Sequence, residues 1–138
     1  MSKPSAKGIM IDLKAQLNSI VAADNEIDYA AILNFGQNVD GADVIIAASN
    51  VNPKRPVDQE RLIKTIAVER DSYHINPLDQ DKLVIAKTGL FRLCPVGIGD
   101  KIIMFACYER GDTDTFRAAA HKYRQTLVDK VRDWDEAL

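Results

Sequence analysis

The stretch "KLVIAKTGLFRLCPVGIGDKIIMFACY", residues 82 to 108, constrains the fold more than any other part of the chain. It holds three short apolar segments, 82–87, 90–96 and 101–108, separated by Thr88-Gly89 and by Gly97-Ile98-Gly99-Asp100. A GxG of this kind cradles a phosphate only where a strand precedes it and a helix start follows, so that free N–H groups face the anion. Here the residues that follow, Lys101 to Tyr108, are β-branched and aromatic and carry no polar face at helical spacing. The glycines therefore read as a hairpin turn, where positive φ comes without steric cost. Three adjacent strands result. Pairing them across the two turns sets Ala86 opposite Phe91, Val84 opposite Leu93, Leu93 opposite Met104 and Phe91 opposite Ala106. All six side chains then fall on one face of the sheet, because strand side chains alternate with a period of two. Pro95 has no N–H for a ladder, which predicts a strand end or a bulge there.

The rest of the chain supplies partners for this sheet. Met10, Leu13, Leu17, Ile20 and Val21 form a helical stripe over 8–22, closed by Asp24-Asn25. "IDYAAILNF" (27–35) and "ADVIIAAS" (42–49) read as strands, joined by a loop carrying the Asp40-Gly41 turn signal. "NVNPKRP" (50–56) is a loop with two prolines, followed by a helix over 57–73 with Leu62, Ile63, Ile66 and Tyr73 as its stripe. A last helix begins near 113, capped within Asp112 to Asp114, with Phe116, Ala120, Tyr123, Leu127, Val131 and Trp134 as a continuous seam. The expected fold is an α/β (α+β) sandwich: a five-stranded, mainly antiparallel sheet with helices on both faces, in the order α-β-β-α-β-β-β-α. The whole chain, 1–138, reads as one domain.

Composition excludes several function classes. Of 138 residues, 46% are hydrophobic and 28% charged, which suits a water-soluble globule. A net charge of -2 argues against a protein that grips nucleic acid along a whole face. No apolar run approaches the ~20 residues of a spanning helix, and the N-terminus lacks a signal-peptide core, so no membrane is expected and the cytoplasm is the default. The strand pairing places Cys94 near Ile103 and leaves Cys107 four residues along, about 13 Å at strand rise. Two reduced, buried thiols are expected rather than a disulfide.

No catalytic motif stands out. Ser49, Ser72, His74 and His121 form no nucleophile arrangement. Asp112 and Asp114 read as helix caps, Asp133 and Asp135 as a solvated helix end, and Asp40 and Asp43 lack regular cation-ligand spacing. Neither metal nor cofactor is expected. Basic residues on the last helix (Arg117, Lys122, Arg124, Lys130, Arg132) and around the second (Lys54, Arg55, Arg61, Lys64, Arg70) are balanced by acidic neighbours. Opposite the Leu62/Ile66 stripe runs a second line, Val57, Arg61, Lys64 and Val68, which reads either as a contact seam or as a solvated face with stray valines.

The element order, the Asp-Gly turn between the first strands, and the run "LVIAKTGLFRLCPVGIGDKIIMFACY" before a helix resemble the roadblock family of dynein light chains and their bacterial and archaeal relatives. The likeness covers roughly residues 9 to 131; the first hairpin loop and the 50–59 stretch are longer than that family's pattern. The resemblance implies a homodimer in which the edge strand after the second helix pairs with its copy and the two second helices lie side by side. Mapped here, the edge is Leu83, Val84, Ile85, Ala86 and Lys87, and the helix is 57–73. The expected function is a non-enzymatic dimeric adaptor, and the resemblance implies that it regulates a small Ras-like GTPase or scaffolds a motor or polarity assembly. The alternatives are a GAF-like sensor enclosing a small ligand beneath its sheet, and an enzyme whose residues gather from separate loops.

Overall fold

The computed structural model describes residues 5–34, 45–72 and 83–138, with side chains given through Glu69 in the second helix. The expected Asp40-Gly41 turn, Asp43, Tyr73, His74 and Lys82 lie outside the described residues, as do the side chains of Arg70 and Ser72. The elements are α1 (Ala6–Ala23), β1 (Tyr29–Asn34), β2 (Ile45–Ala48), α2 (Gln59–Ser72), β3 (Ala86–Lys87), β4 (Phe91–Ile98), β5 (Lys101–Tyr108) and α3 (Thr113–Ala137). This is the expected order. The strands form one sheet in the order β2-β1-β5-β4-β3, antiparallel at every pairing.

The two faces of the sheet carry separate cores. On one face, Leu13, Leu17, Ile20 and Val21 of α1 and Phe116, Ala120, Leu127 and Val131 of α3 pack over Ala30, Ile32, Cys94, Val96, Ile103, Phe105 and Cys107. Met10, Tyr123 and Trp134 join the margin of that cluster, so both predicted stripes are the buried faces. On the other face, Leu62 and Ile66 of α2 meet Tyr29, Ala31, Leu33, Phe91, Leu93, Met104 and Ala106. Caps set where the helices begin and end. Ser5 Oγ accepts from Gly8 N at 3.1 Å, and the Asp24 N–H donates to Ile20 O at 2.9 Å. Asp112 accepts from Asp114 N at 3.1 Å at the start of α3.

The strand registers differ from expectation by two residues, and the difference has a local cause at each turn. Ile98 pairs with Lys101, so only Gly99 and Asp100 turn the chain; Gly99 sits at φ 56°, a left-handed conformation that glycine adopts freely. Leu93 then faces Ala106 and Phe91 faces Tyr108, in place of Met104 and Ala106. At the other turn, Thr88 N and Oγ1 donate to Phe91 O, while Phe91 N donates to Thr88 Oγ1, all within 2.9–3.1 Å. That widens the turn, with Gly89 at φ 90°, and Ala86 pairs with Leu93 rather than Phe91. A slip of two preserves the face. Phe91, Leu93, Met104, Ala106 and Ala86 all belong to the α2-side cluster as expected, whereas Val84 is 56% exposed.

Pro95 corrects two expectations together. It lies inside β4, opposite Met104, with regular register on either side, so it marks neither an end nor a bulge of that strand. Counting from the two-residue turn, hydrogen-bonded pairs fall at 98/101, 96/103 and 94/105, which points the backbone of residue 95 away from β5 and toward β3. The next rung of the β3 ladder beyond Ala86/Leu93 would need an N–H from residue 95. Proline has none. The expected strand over 82–87 is therefore two residues long, Ala86–Lys87.

Candidate functional site: the outer face of α2 and the β3 edge

The start of α2 is built by four residues. Asp58 caps it, its Oδ1 accepting from Arg61 N at 3.1 Å, while its own N–H donates to the Tyr108 hydroxyl at 3.0 Å. Tyr108 is held by a stacked Phe91 ring, centroids 5.0 Å apart. Val57, just before the cap, joins the same core cluster as Leu62. An apolar residue before the cap packed on the fourth helical residue is a hydrophobic staple, and it fixes the angle at which the chain enters the helix.

The staple corrects the expected seam. Val57 is buried and precedes the helix, so helical spacing does not carry it onto the line of Arg61, Lys64 and Val68. Those three are exposed, Val68 at 71%. Lys64 pairs with Glu60 at 3.3 Å, but both side chains are largely in water, where such a pair contributes little. The signal for the staple was in the sequence: an apolar residue, an aspartate cap, then a leucine four positions after that cap.

The sheet edge lies on the same side. Alternation sends Leu83 and Ile85 toward the α1/α3 cluster, against which both pack, and sends Val84 and Ala86 toward the α2 side. Ala86 packs there, while Val84 remains exposed. The carbonyl of Leu83 accepts from Arg117 Nε at 3.3 Å, which fastens this segment to α3. The structure thus brings Val68 and Val84 to one side of the sheet, beside a strand with a single ladder neighbour among the described residues.

Behind this face sits a charged cluster that sequence reasoning missed. Asp28, 1% exposed, accepts from Arg55 Nη1 at 2.8 Å, from Arg110 through both terminal nitrogens, and from Tyr108 N at 3.1 Å. Arg55 also donates to the carbonyls of Val21 at 2.7 Å, Asn25 at 2.9 Å and Asp24 at 3.0 Å. Arg110 donates to Asn25 O at 2.7 Å. The α1–β1 connection is thereby clamped between the loop that enters α2 and the loop that leaves β5. The carboxylate in turn raises the affinity of the Arg110 guanidinium for its proton. With its oxygens already engaged by these donors, the cluster reads as an internal brace.

The remaining candidates resolve individually. Ser49 is buried and its Oγ accepts from Ala30 N at 3.1 Å, a bridge between β2 and β1. His121 is exposed on α3. Cys94 and Cys107 are free and buried. Cys94 faces Phe105, so Cys107 is two residues along rather than four, a diagonal neighbour on the same face. Burial pushes both thiols up to about 12, aided for Cys107 by the negative charge of Asp28. Among the described residues no three His, Cys, Asp or Glu side chains gather as metal ligands, and no helix is long and apolar enough to cross a membrane. The gap between α2 and the sheet, lined by Tyr29, Val57, Leu62 and Phe91, is too small for a water molecule, so it offers no chamber for a sensor's ligand.

Solved structures share this fold. MglB from Myxococcus xanthus superposes with a TM-score of 0.59 at 10% identity, covering 97% of this chain and 95% of that one. A roadblock/LC7 domain from Streptomyces avermitilis gives 0.57 at 11% identity, covering 89% and 97%. MglB in a tetrameric arrangement gives 0.59 at 10% identity, covering 100% and 96%. No protein-family model and no curated protein matches the sequence. The chain has the fold of roadblock domains, as the sequence resemblance implied.

Proposed function

We propose that this chain is a non-enzymatic adaptor that works as a homodimer, using the outer face of α2 (Arg61, Lys64, Val68) and the edge at Leu83, Val84, Ile85 and Ala86 for self-association. The paired platform then regulates a small Ras-like GTPase or scaffolds a larger assembly. The observation that carries this reading is the presence, on one side of one sheet, of two exposed valines beside a two-residue edge strand. An edge with unpaired backbone groups is a template for a second chain, and Val68 and Val84 add apolar area next to it. A solved structure of MglB in a tetrameric arrangement supports self-association as something this fold does. Arg61 and Lys64, the latter shared with Glu60, are the exposed cations this face offers to an acidic partner surface.

Sedimentation equilibrium tests the first step. The wild-type chain should sediment at twice its monomer mass, and Val68→Asp combined with Val84→Asp should give a folded monomer. A wild-type chain that stays monomeric at high concentration removes the adaptor reading. The partner step uses the same face, so its test is read at matched dimer content: Arg61→Glu with Lys64→Glu, checked by sedimentation to keep the wild-type dimer, should weaken calorimetric binding of a small GTPase in its triphosphate form, and equal binding removes the role of the basic face.

A further inference from the structure

The loop that leads into α2 leaves a cleft that self-association does not use. Residues 50–54 fold back on the C-terminal half of α1 and border an open cleft of about 520 Å³, walled by Asn18, Asn50, Asn52 and Lys54 over a floor of Val21 and Val51. The volume lies in the range of ligand clefts, which combine an apolar floor with a few convergent polar groups.

The cleft is built, and its walls are fixed. Asn50 N donates to Asn18 Oδ1 at 2.6 Å, Asn52 Nδ2 donates to Val21 O at 3.4 Å, and Asn52 Oδ1 accepts from Lys54 N at 2.9 Å. Arg55 N donates to Asn52 O at 3.0 Å, and the Arg55 guanidinium is locked on Val21 O and Asp28. A loop tied down in this way loses little freedom when a ligand arrives. What remains unspent points to the ligand. Among the described residues the side-chain carboxamide of Asn50 and the ammonium of Lys54, both on exposed residues at the rim, carry no hydrogen bond or ion pair, Asn18 keeps its NH₂ donors, and no acidic side chain lines the cleft. A carboxamide offers a donor and an acceptor side by side, the complement of a peptide unit, while an ammonium without a counter-charge suits a carboxylate.

The geometry points to a binding site for an extended peptide end, with backbone amides on Asn18 and Asn50 and the terminal carboxylate on Lys54. The site lies on the α1 side of the molecule and does not depend on the dimer reading. The test uses the full chain and two arrays of random tetrapeptides anchored through their N-termini, one with free carboxyl ends and one amidated. Binders are expected on the free-acid array alone. By calorimetry, Lys54→Gln and Asn50→Ala should each weaken the best binder roughly five- to tenfold, since each removes one contact without disturbing the loop's own hydrogen bonds. Amide shifts on titration should gather at Asn18, Val51 and Lys54, and both variants should keep the wild-type melting temperature and sedimentation. An array without binders, binders indifferent to amidation, or a Lys54→Gln variant of unchanged affinity would overturn the assignment.

Discussion

Replacing Asp28 by asparagine tests whether the buried brace holds the domain together. The carboxylate side chain is 2% exposed and receives Arg55, Arg110 and the Tyr108 N–H. Asparagine keeps the shape but turns one acceptor into a donor, which then faces guanidinium N–H groups. Removing one member of a buried ion pair costs about 3–5 kcal/mol. Arg110 is 43% exposed and its share is screened, so the low end applies, about 3 kcal/mol. Against a total stability of about 5–15 kcal/mol that is a large fraction. For a chain of this length it corresponds to a melting temperature roughly 10 °C lower. Urea unfolding of Asp28→Asn should show the loss with an unchanged m-value. A double-mutant cycle with Arg110→Gln should return a coupling of about 1–3 kcal/mol. A loss below about 1 kcal/mol, or a cycle that closes additively, would show that the carbonyl contacts of Arg55 suffice and that the carboxylate contributes nothing.

Two further outcomes follow from the geometry. Tyr108→Phe keeps the ring stack on Phe91 but removes the hydroxyl that accepts from Asp58 N, so stability should fall by about 1 kcal/mol, read from the urea midpoint. Cys94 and Cys107 should resist a thiol reagent at pH 8 until the chain unfolds, because the thiolate is the reactive form and burial disfavours it. Their folded values, about 12, stand above the ordinary 9.0, so the stability they contribute is complete below pH 9 and is lost as pH rises from there toward 12. Urea midpoints that rise across that window in wild type relative to a Cys94→Ala, Cys107→Ala variant would contradict the sign.

Element order and the facing of nearly every strand were legible because both rest on local patterns. The α1 and α3 stripes repeat at helical spacing, and the three C-terminal strands alternate. Even a two-residue error in both turns left Phe91, Leu93, Met104 and Ala106 facing α2, since the face depends only on odd or even position. The lengths of the strands depended on single atoms: one absent N–H at Pro95 decided where β3 stops. Val57 falls off the helical line because it precedes the Asp58 cap, where the period of 3.6 does not yet apply. Asp28, Arg55 and Arg110 could not be joined from sequence at all, since they stand far apart in the chain and meet only when the sheet closes. The one available hint was an acidic residue set inside the apolar run "IDYAAIL".

The missing donor at Pro95 has a consequence for how copies of this chain can add to one another. A long, regular rim accepts a neighbour in many offsets and, once occupied, offers the same rim again, which is the route to fibres. Two rungs admit very few alignments and hold too little to keep a misaligned copy in place. If copies pair along this edge as proposed, a ring closed at one residue by its own side chain would therefore favour a finite assembly with a fixed stagger over an endless ribbon.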